Sequence, residues 1–412
     1  MTVSYASIVA TTTYSTFLRL LFLWKGSVYR LIWFELLIFT GIYSILSLTY
    51  RFLLTGMMKT YFEWLCLYCN QHNEMIPVPF VLGFYVSLVV TRWWEQFLSL
   101  PWPDQLALQM TAYCHGNDER PTRIRRTVMR YTNLAYCIAL RAISSRARLR
   151  FPTAEHLVSA GLMTEEELDV LVKTEPTEYQ LYFVPLVWAL NIVSQARQEG
   201  HIRFDRAVEI LTEEITTFRG KLGTIFAYDW INPPLVYTQM ATIVVYSYFL
   251  ACLFAWQYLD LSKGYPGYDI DIYVPVFGLL RFFFYIGWLK VAESLINPFG
   301  EDADDFEIEY LIERNLNVSY LIVDEMHHEH PELVRDAFWG TADFTLSKSN
   351  DFAEGDAETT TGGAGDGDKF TGSLANLNVM ERRPSLAFWR SASISKPFAS
   401  TTNLSDRKVS QL

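Results

Sequence analysis

Residues 234–259 contain no charged side chain, and no other feature of the sequence constrains the fold as strongly. About 20 consecutive apolar residues in a helix cross the roughly 30 Å of hydrocarbon in a bilayer. Three further blocks have the same character. Residues 31–50 hold one charge, Glu35; residues 272–289 hold one, Arg281; residues 75–91 hold none, but are shorter and carry Pro77 and Pro79. The overall hydrophobic share of 50% would suit a soluble core equally well. The bunching into blocks is what predicts an all-α membrane protein with four transmembrane helices, the second of them broken by proline.

Residues 17–24 are too short for a signal peptide, are interrupted by Arg19 and lack a following small-residue cleavage site. The first span is therefore expected to remain as an anchor. Arg19, Lys25 and Arg30 precede it, and basic residues near helix ends stay on the cytoplasmic side. Four crossings then leave both termini cytoplasmic, in a multi-pass protein expected at the plasma membrane. Residues 51–74 and 260–271 become external links.

The formal charge of −11 argues against a nucleic-acid footprint. Five cysteines are too few for a disulfide scaffold. Cys66 and Cys69 form a CxxC with no second pair to complete a zinc site, while Cys114, Cys137 and Cys252 read as buried thiols.

Between the second and third spans the pattern is helical and rich in arginine, clearest over 121–142, 164–173 and 205–218. No strand alternation and no internal repeat is visible. The expected organisation is a cytosolic N-terminal segment (1–30), two spans (31–99) and a helical cytosolic domain continuous with the membrane helices (100–230). Two more spans follow (231–297), then an acidic stretch with cytosolic helices (298–340) and a tail (341–412). That tail is Ser, Thr, Gly and acid, a composition that buries too little apolar surface to offset ordering entropy, so it is expected to be disordered.

Prolines inside an apolar span break its helix, and broken backbone in a bilayer is tolerated where it is buried in protein or lines a wet cavity. A half-helix starting at Pro77 and Pro79 would aim its N-terminal amides, the anion-attracting end, into such a cavity. Ile76, Phe80 and Phe84 recur every four residues and share a helix face. That face reads either as a hydrophobic constriction that gates by dewetting or as the packing stripe of a kinked helix. Arg281, a charge within a span, faces water or the bundle interior, or pairs with Glu35.

The run from Asn297 to Asp305, NPFGEDADD, supplies carboxylates and helix-end carbonyls, the ligand types calcium prefers. Its spacing is not that of an EF-hand, and a solvated acidic surface is the other reading. His327, His328 and His330, with Glu325 or Glu329, form no ligand set of credible spacing and read as a solvated helix end. Arg382-Arg383-Pro384-Ser385 has the form of a basic-directed phosphorylation site at Ser385. No Ser-His-Asp set, P-loop or GxGxxG is present, and no enzyme is expected. A calcium-sensing membrane scaffold and a secondary transporter are the competing classes; the latter would show inverted repeats, which are absent.

Taken together these stretches resemble the bestrophin family. The resemblance rests on the opening MTVSY, on WKGS from Trp24, and on Ile76-Pro77 through Thr91-Arg92-Trp93-Trp94. It continues through PWPD from Pro101, RFP from Arg150, AYDW from Ala227 and GWLK from Gly287 running into Asn297-Pro298-Phe299-Gly300-Glu301-Asp302, and so covers residues 1–340. The resemblance implies a homopentameric channel for chloride and other small anions, opened by cytosolic calcium. Ile76, Phe80 and Phe84 would form its pore neck. Asp302 and Asp305 would be calcium carboxylates, and Ala10, Ser294 and Asn297 would contribute backbone carbonyls. Ser294 replaces a glutamine and Ala303 an acid common in relatives. A second, cytosolic constriction is expected near Arg206, where relatives often have a small apolar residue; Ile202 or Ala207 would line it if Arg206 turns away.

Overall fold

The computed structural model describes residues 5, 16–173, 178–266, 268, 272–336 and 338–340. The chain divides into two units. Of the smaller, residues 4–23 and 348–412, the structure describes Tyr5, the short helix α1, Thr16–Leu21, and the two residues after it. Ala10, Ser385 and the tail lie outside the described residues. Everything that follows concerns the larger unit.

Its elements are α2 (Val28–Leu48), α3 (Gly56–His72), α4 (Val78–Leu98), α5 (Asp104–Tyr113), α6 (Glu119–Ile143), α7 (Ser145–Arg150), α8 (Ala154–Ser159) and α9 (Glu165–Lys173). They continue with α10 (Val184–Gln198), α11 (Asp205–Trp230), α12 (Leu235–Ala255), α13 (Val276–Leu295) and α14 (Ile308–Tyr320). No strand occurs among the described residues; one antiparallel bridge joins Cys114 to Ile202.

The membrane helices α2, α4, α12 and α13 share one core, with Ile32, Tyr43, Leu82, Val86, Val245, Phe249, Phe282 and Ile286 buried. By length and apolarity alone, Val28–Leu53 and Leu235–Ala255 qualify as spans, and Gly56–Met75 with Val78–Leu98 as a pair bent by 47°. The fourth segment, α13, is 20 residues long and interrupted by Arg281, Lys290 and Glu293. Lipid offers no hydrophobic drive for helix association, so close contact between helices must do that work. A side-chain carbon at Gly278 would fall 2.5 Å from the Trp256 ring, and one at Gly287 would fall 3.0 Å from Val28. Those glycines let α13 lie against Trp256 and α2.

Residues 51–74, expected as an external link, are mostly helix α3. Their charges hid the helix from a hydropathy reading because the partners lie 200 positions away. Glu63 is fully buried, held by the Tyr50 hydroxyl at 2.7 Å, the Tyr265 hydroxyl at 3.1 Å and Lys263. Lys59 pairs with Asp260 at 2.8 Å. Cys66 and Cys69 are free thiols. Glu35 pairs with Lys290 at 2.9 Å rather than with Arg281, which donates instead to the Tyr248 hydroxyl at 2.9 Å.

The helical domain is built around α6, whose residues 132–140 are buried on every side. A helix apolar all round must be enclosed, and α10, α11, α14 and α5 pack against it. The start at Thr164 is a reciprocal cap: the Glu167 amide donates to Thr164 Oγ1 at 3.2 Å, and the Thr164 amide to Glu167 Oε2 at 2.9 Å. The 205–218 helix runs on to Trp230. His327 is not a solvated helix end. It is 6% exposed, its ring 3.9 Å from that of His328, and burial beside Arg125 pushes its pKa down to about 4. Among the described residues no group of three or more His, Cys, Asp or Glu could hold a metal.

Candidate functional site

The proline break falls where the sequence predicts. Pro77 caps α4 and Pro79 sits in its first turn. The opening turn is poor in donors: Pro79 has no N–H, the Val78 amide bonds Ile76 O at 2.8 Å, and the Val81 amide bonds Pro77 O at 3.2 Å. That leaves the Phe80 N–H as the first-turn donor without a main-chain partner among the described residues. The amide-rich tip expected of this half-helix is therefore one amide plus the helix dipole.

Two faces of α4 differ sharply. Val78, Leu82, Tyr85, Val86 and Val89 are buried in the membrane core. Phe80 and Phe84 stand out at 66% and 60% exposure, their rings edge to face with centroids 4.9 Å apart. Ile76 is half-buried against the membrane core. At helical spacing below the two rings the same exposed side continues through Ser87, Thr91 and Glu95. A lipid-facing helix has no use for a serine, a threonine and a glutamate in line; a face turned to water does.

The lower half of α4 is fixed to the helical domain. Arg92 donates to the carbonyls of Tyr228 and, at 2.7 Å, of Ile231, capping the end of α11. The Tyr228 hydroxyl donates to Glu95 at 2.9 Å.

The acidic run follows α13. The Ser294 carbonyl is among the last four of that helix, which have no intrahelical donor, and Asn297 follows one residue past the helix cap. Asp305 is 1% exposed, whereas Asp302 is exposed. Asp305 Oδ2 accepts the Asp302 amide at 2.6 Å. Burial, reinforced by the charges of Asp302 and Asp304, pushes the Asp305 carboxyl up to about 6. A side chain on Gly300 would sit 2.8 Å from Asp305 Oδ2 and 3.6 Å from the Asn297 carbonyl. The two oxygens therefore converge on a spot only glycine leaves open. A buried carboxylate among like charges, with a carbonyl beside it, is a donor set that fits a hard cation.

Two residues that sequence reasoning passed over, Arg146 and Phe306, complete this loop. Arg146 donates to the carbonyls of Glu301 at 3.0 Å and Asp302 at 3.3 Å. Phe306 packs on Phe299, and on Trp93 and Phe97 of α4 with centroids 5.6 and 5.3 Å away. An apolar residue directly after an acidic run was the available signal. The candidate cytosolic residues separate: Ile202 and Ala207 are 0% and 3% exposed within the helical core, while Arg206 is exposed and paired with Glu209 at 2.8 Å. Packing inside the subunit takes the first two away from any passage wall.

The profile of a family described as "Bestrophin, RFP-TM, chloride channel" matches residues 1–325. Human Bestrophin-2a is 52% identical over 343 residues, covering 83% of this chain and 67% of the relative. Human Bestrophin-1 is 48% identical over 339 residues, covering 82% of this chain and 58% of the relative. The solved structure of a bacterial bestrophin homologue from Klebsiella pneumoniae is similar in fold, with a TM-score of 0.53 at 18% identity over 73% of this chain and all of that one.

Proposed function

The chain belongs to the bestrophin family of chloride channels, and we propose that it forms a homopentameric, calcium-activated channel whose gate is the Phe80 and Phe84 face of α4 together with Ile76 just ahead of that helix. One observation carries this reading. Asp305 is followed at once by Phe306, whose ring rests on Trp93 and Phe97 of the helix that presents Phe80 and Phe84 at its other end. The acidic loop and the exposed rings are thus two ends of one packed unit.

Asp302 and Asp305, with the carbonyls of Ser294 and Asn297, would hold calcium, which when bound supplies the positive charge that a buried carboxylate lacks. The chain's own part is mechanical. A shift of Phe306 must be met by Trp93 and Phe97, because packed interiors deform in discrete steps rather than continuously. Exposed phenyl rings around a shared axis exclude water when close and admit it when splayed. Once the lane is wet, the α4 dipole, the Phe80 amide and the electropositive edges of the rings favour an anion. Arg206, raised on the exposed start of α11, adds positive charge at the cytosolic exit, partly offset by Glu209. In this reading the channel sits in the plasma membrane with both termini cytoplasmic, residues 100–230 as its cytosolic domain and residues 341–412, with Ser385, as a regulatory tail.

Purified protein in planar bilayers, with calcium stepped on the cytosolic side and chloride as the only permeant ion, tests this directly. The expected result is a chloride current that rises with calcium. A protein that passes no anion is a scaffold, and a current indifferent to calcium removes the acidic loop from gating.

A further inference from the structure

At the end of the membrane bundle remote from the helical domain, a cavity of about 260 Å³ opens between α3, α12 and α13. Asn70, Trp256, Gln257, Tyr258, Phe277 and Arg281 are among the residues that line it. We propose that this cavity is a binding site for a glycerophospholipid head group, with the phosphodiester on Arg281 and a hydroxyl or ammonium of the head group on the Gln257 amide oxygen. The inference needs only the chain's membrane placement and is independent of how the channel gates.

The case begins with Arg281. A guanidinium inside a membrane span is stable when it is paired or reaches polar surroundings. Arg281 donates to the neutral Tyr248 hydroxyl, and among the described residues it has no carboxylate partner. Among the described residues, four of its five N–H groups are left for something else. The other polar side chains around the cavity also carry donors: the Asn70 amide, the Trp256 indole and the Tyr258 and Tyr268 hydroxyls. Among the described residues no carboxylate lines it. A donor-rich, positively charged cavity without an acid selects an oxyanion, and a planar guanidinium suits the paired oxygens of a phosphate.

Gln257 supplies the second half of the selectivity. It is 1% exposed, and its amide nitrogen donates to the carbonyls of Leu253 at 2.8 Å and Tyr43 at 3.3 Å. Because both partners are acceptors, the orientation of the amide is fixed, and the oxygen is the atom left over. That oxygen is buried and accepts no hydrogen bond among the described residues. A buried acceptor left unmet costs about 1–3 kcal/mol, so a ligand bearing a donor gains by reaching it.

The position argues for a lipid over a soluble anion. The cavity lies where α12 ends and α13 begins, the level at which aromatic side chains gather in membrane proteins. Arg281 is five residues into α13, about 7 Å below its start, a depth from which an arginine reaches up to head groups. Phe277 is 85% exposed at the rim, a position that acyl chains cover and water does not favour.

The test is native mass spectrometry of the assembled full-length protein in detergent, titrated with phosphatidylethanolamine or with phosphatidylcholine, whose head group lacks a donor. Phosphatidylethanolamine should be retained in preference, and Arg281→Gln, which keeps a donor for Tyr248, should weaken that retention about tenfold while Arg281→Lys weakens it less. Gln257→Met should erase the preference between the two lipids. Unchanged retention in Arg281→Gln overturns the site. Displacement by soluble glycerophosphoethanolamine at equal concentration overturns the lipid as its occupant. Should a variant fail to assemble, a photoactivatable phosphatidylethanolamine on the unaltered protein decides: labelling within residues 255–281 supports the site, and labelling confined elsewhere overturns it.

Discussion

Asp305 closes its own loop: its carboxylate accepts the amide of Asp302 at 2.6 Å while the Asp302 carboxylate stays exposed beside it. One acid of the pair is thus spent on shaping the turn as well as on any ligand, and the other is free to move. The two are not equivalent.

Neutralising them separately should show that difference. Asp302→Asn should shift the calcium dependence of the current to higher concentration by roughly tenfold, the effect of about 1.4 kcal/mol of lost binding. Asp305→Asn should shift it further and also loosen the loop, seen as faster amide exchange over residues 298–306. An unaltered calcium response in both would remove this loop from the sensor.

Acid should desensitise the channel. The Asp305 carboxyl titrates near 6, above its ordinary value because it is buried, and a protonated acid is a poor calcium ligand. From pH 7 to pH 5 the ionised fraction falls about tenfold, so the calcium needed for half-activation should rise by a similar factor. The sign for stability is opposite. Because the folded state raises this pKa, calcium-free protein should become more stable, as far as this group is concerned, as pH falls through 6. Thermal unfolding with and without calcium at the two pH values measures both.

Replacing Ile76, Phe80 and Phe84 together with alanine should leave a chloride current in the absence of calcium. The two rings are exposed in the subunit, so their loss should cost little stability, while truncating Ile76, half-buried against the membrane core, should cost about 1–2 kcal/mol. If the triple variant still requires calcium, the gate lies elsewhere.

Phe306→Ala should separate sensing from gating. Calcium binding, followed by calorimetry, should persist within a few fold, whereas the calcium-evoked current should fall severalfold because Trp93 and Phe97 lose their contact. Equal loss of both would make Phe306 a folding residue of the loop instead.

Glu167→Gln should destabilise the helical domain without touching permeation. Glu167 holds Arg130 through both oxygens at 2.6 Å, accepts from Tyr131 at 2.6 Å and caps α9, and these partners hold its carboxyl down at about 2 despite its burial. Removing one member of a largely buried pair costs about 3 kcal/mol. The melting temperature should drop by several degrees; an unchanged one would show the pair to be idle.

The spans Val28–Leu53 and Leu235–Ala255 were legible because at most one charge over 20 residues has one physical meaning in a helix. The proline break was legible for the same kind of reason: a missing N–H leaves no alternative. What escaped was set by contacts between distant residues. Lys59 and Glu63 make α3 look polar, and only Asp260 and Lys263 reveal why the charges are tolerated. Whether Glu35 meets Arg281 or Lys290 depends on helix register, which a sequence does not carry. In the acidic run the residue types pointed to calcium chemistry, yet nothing in DADD says that the last acid is inside and the first outside. The cytosolic candidates failed to separate for a similar reason, since Arg206 and Ala207 differ mainly in which way the start of α11 faces the core, and Ile202 is held inside by its bridge to Cys114.

The guanidinium of Arg92 has a mechanical corollary. It sits twelve residues from Phe80 on an unbroken helix, about 18 Å at 1.5 Å per residue, and it is clamped to the last carbonyls of α11. With that end held, α4 behaves as a stiff lever on a fixed pivot, and a tilt of about 10° would sweep the phenyl rings by about 3 Å over that length, close to a water diameter. In the proposed channel, a small rock at the base of such a beam would be enough to turn a dry ring of phenyls into a wet one.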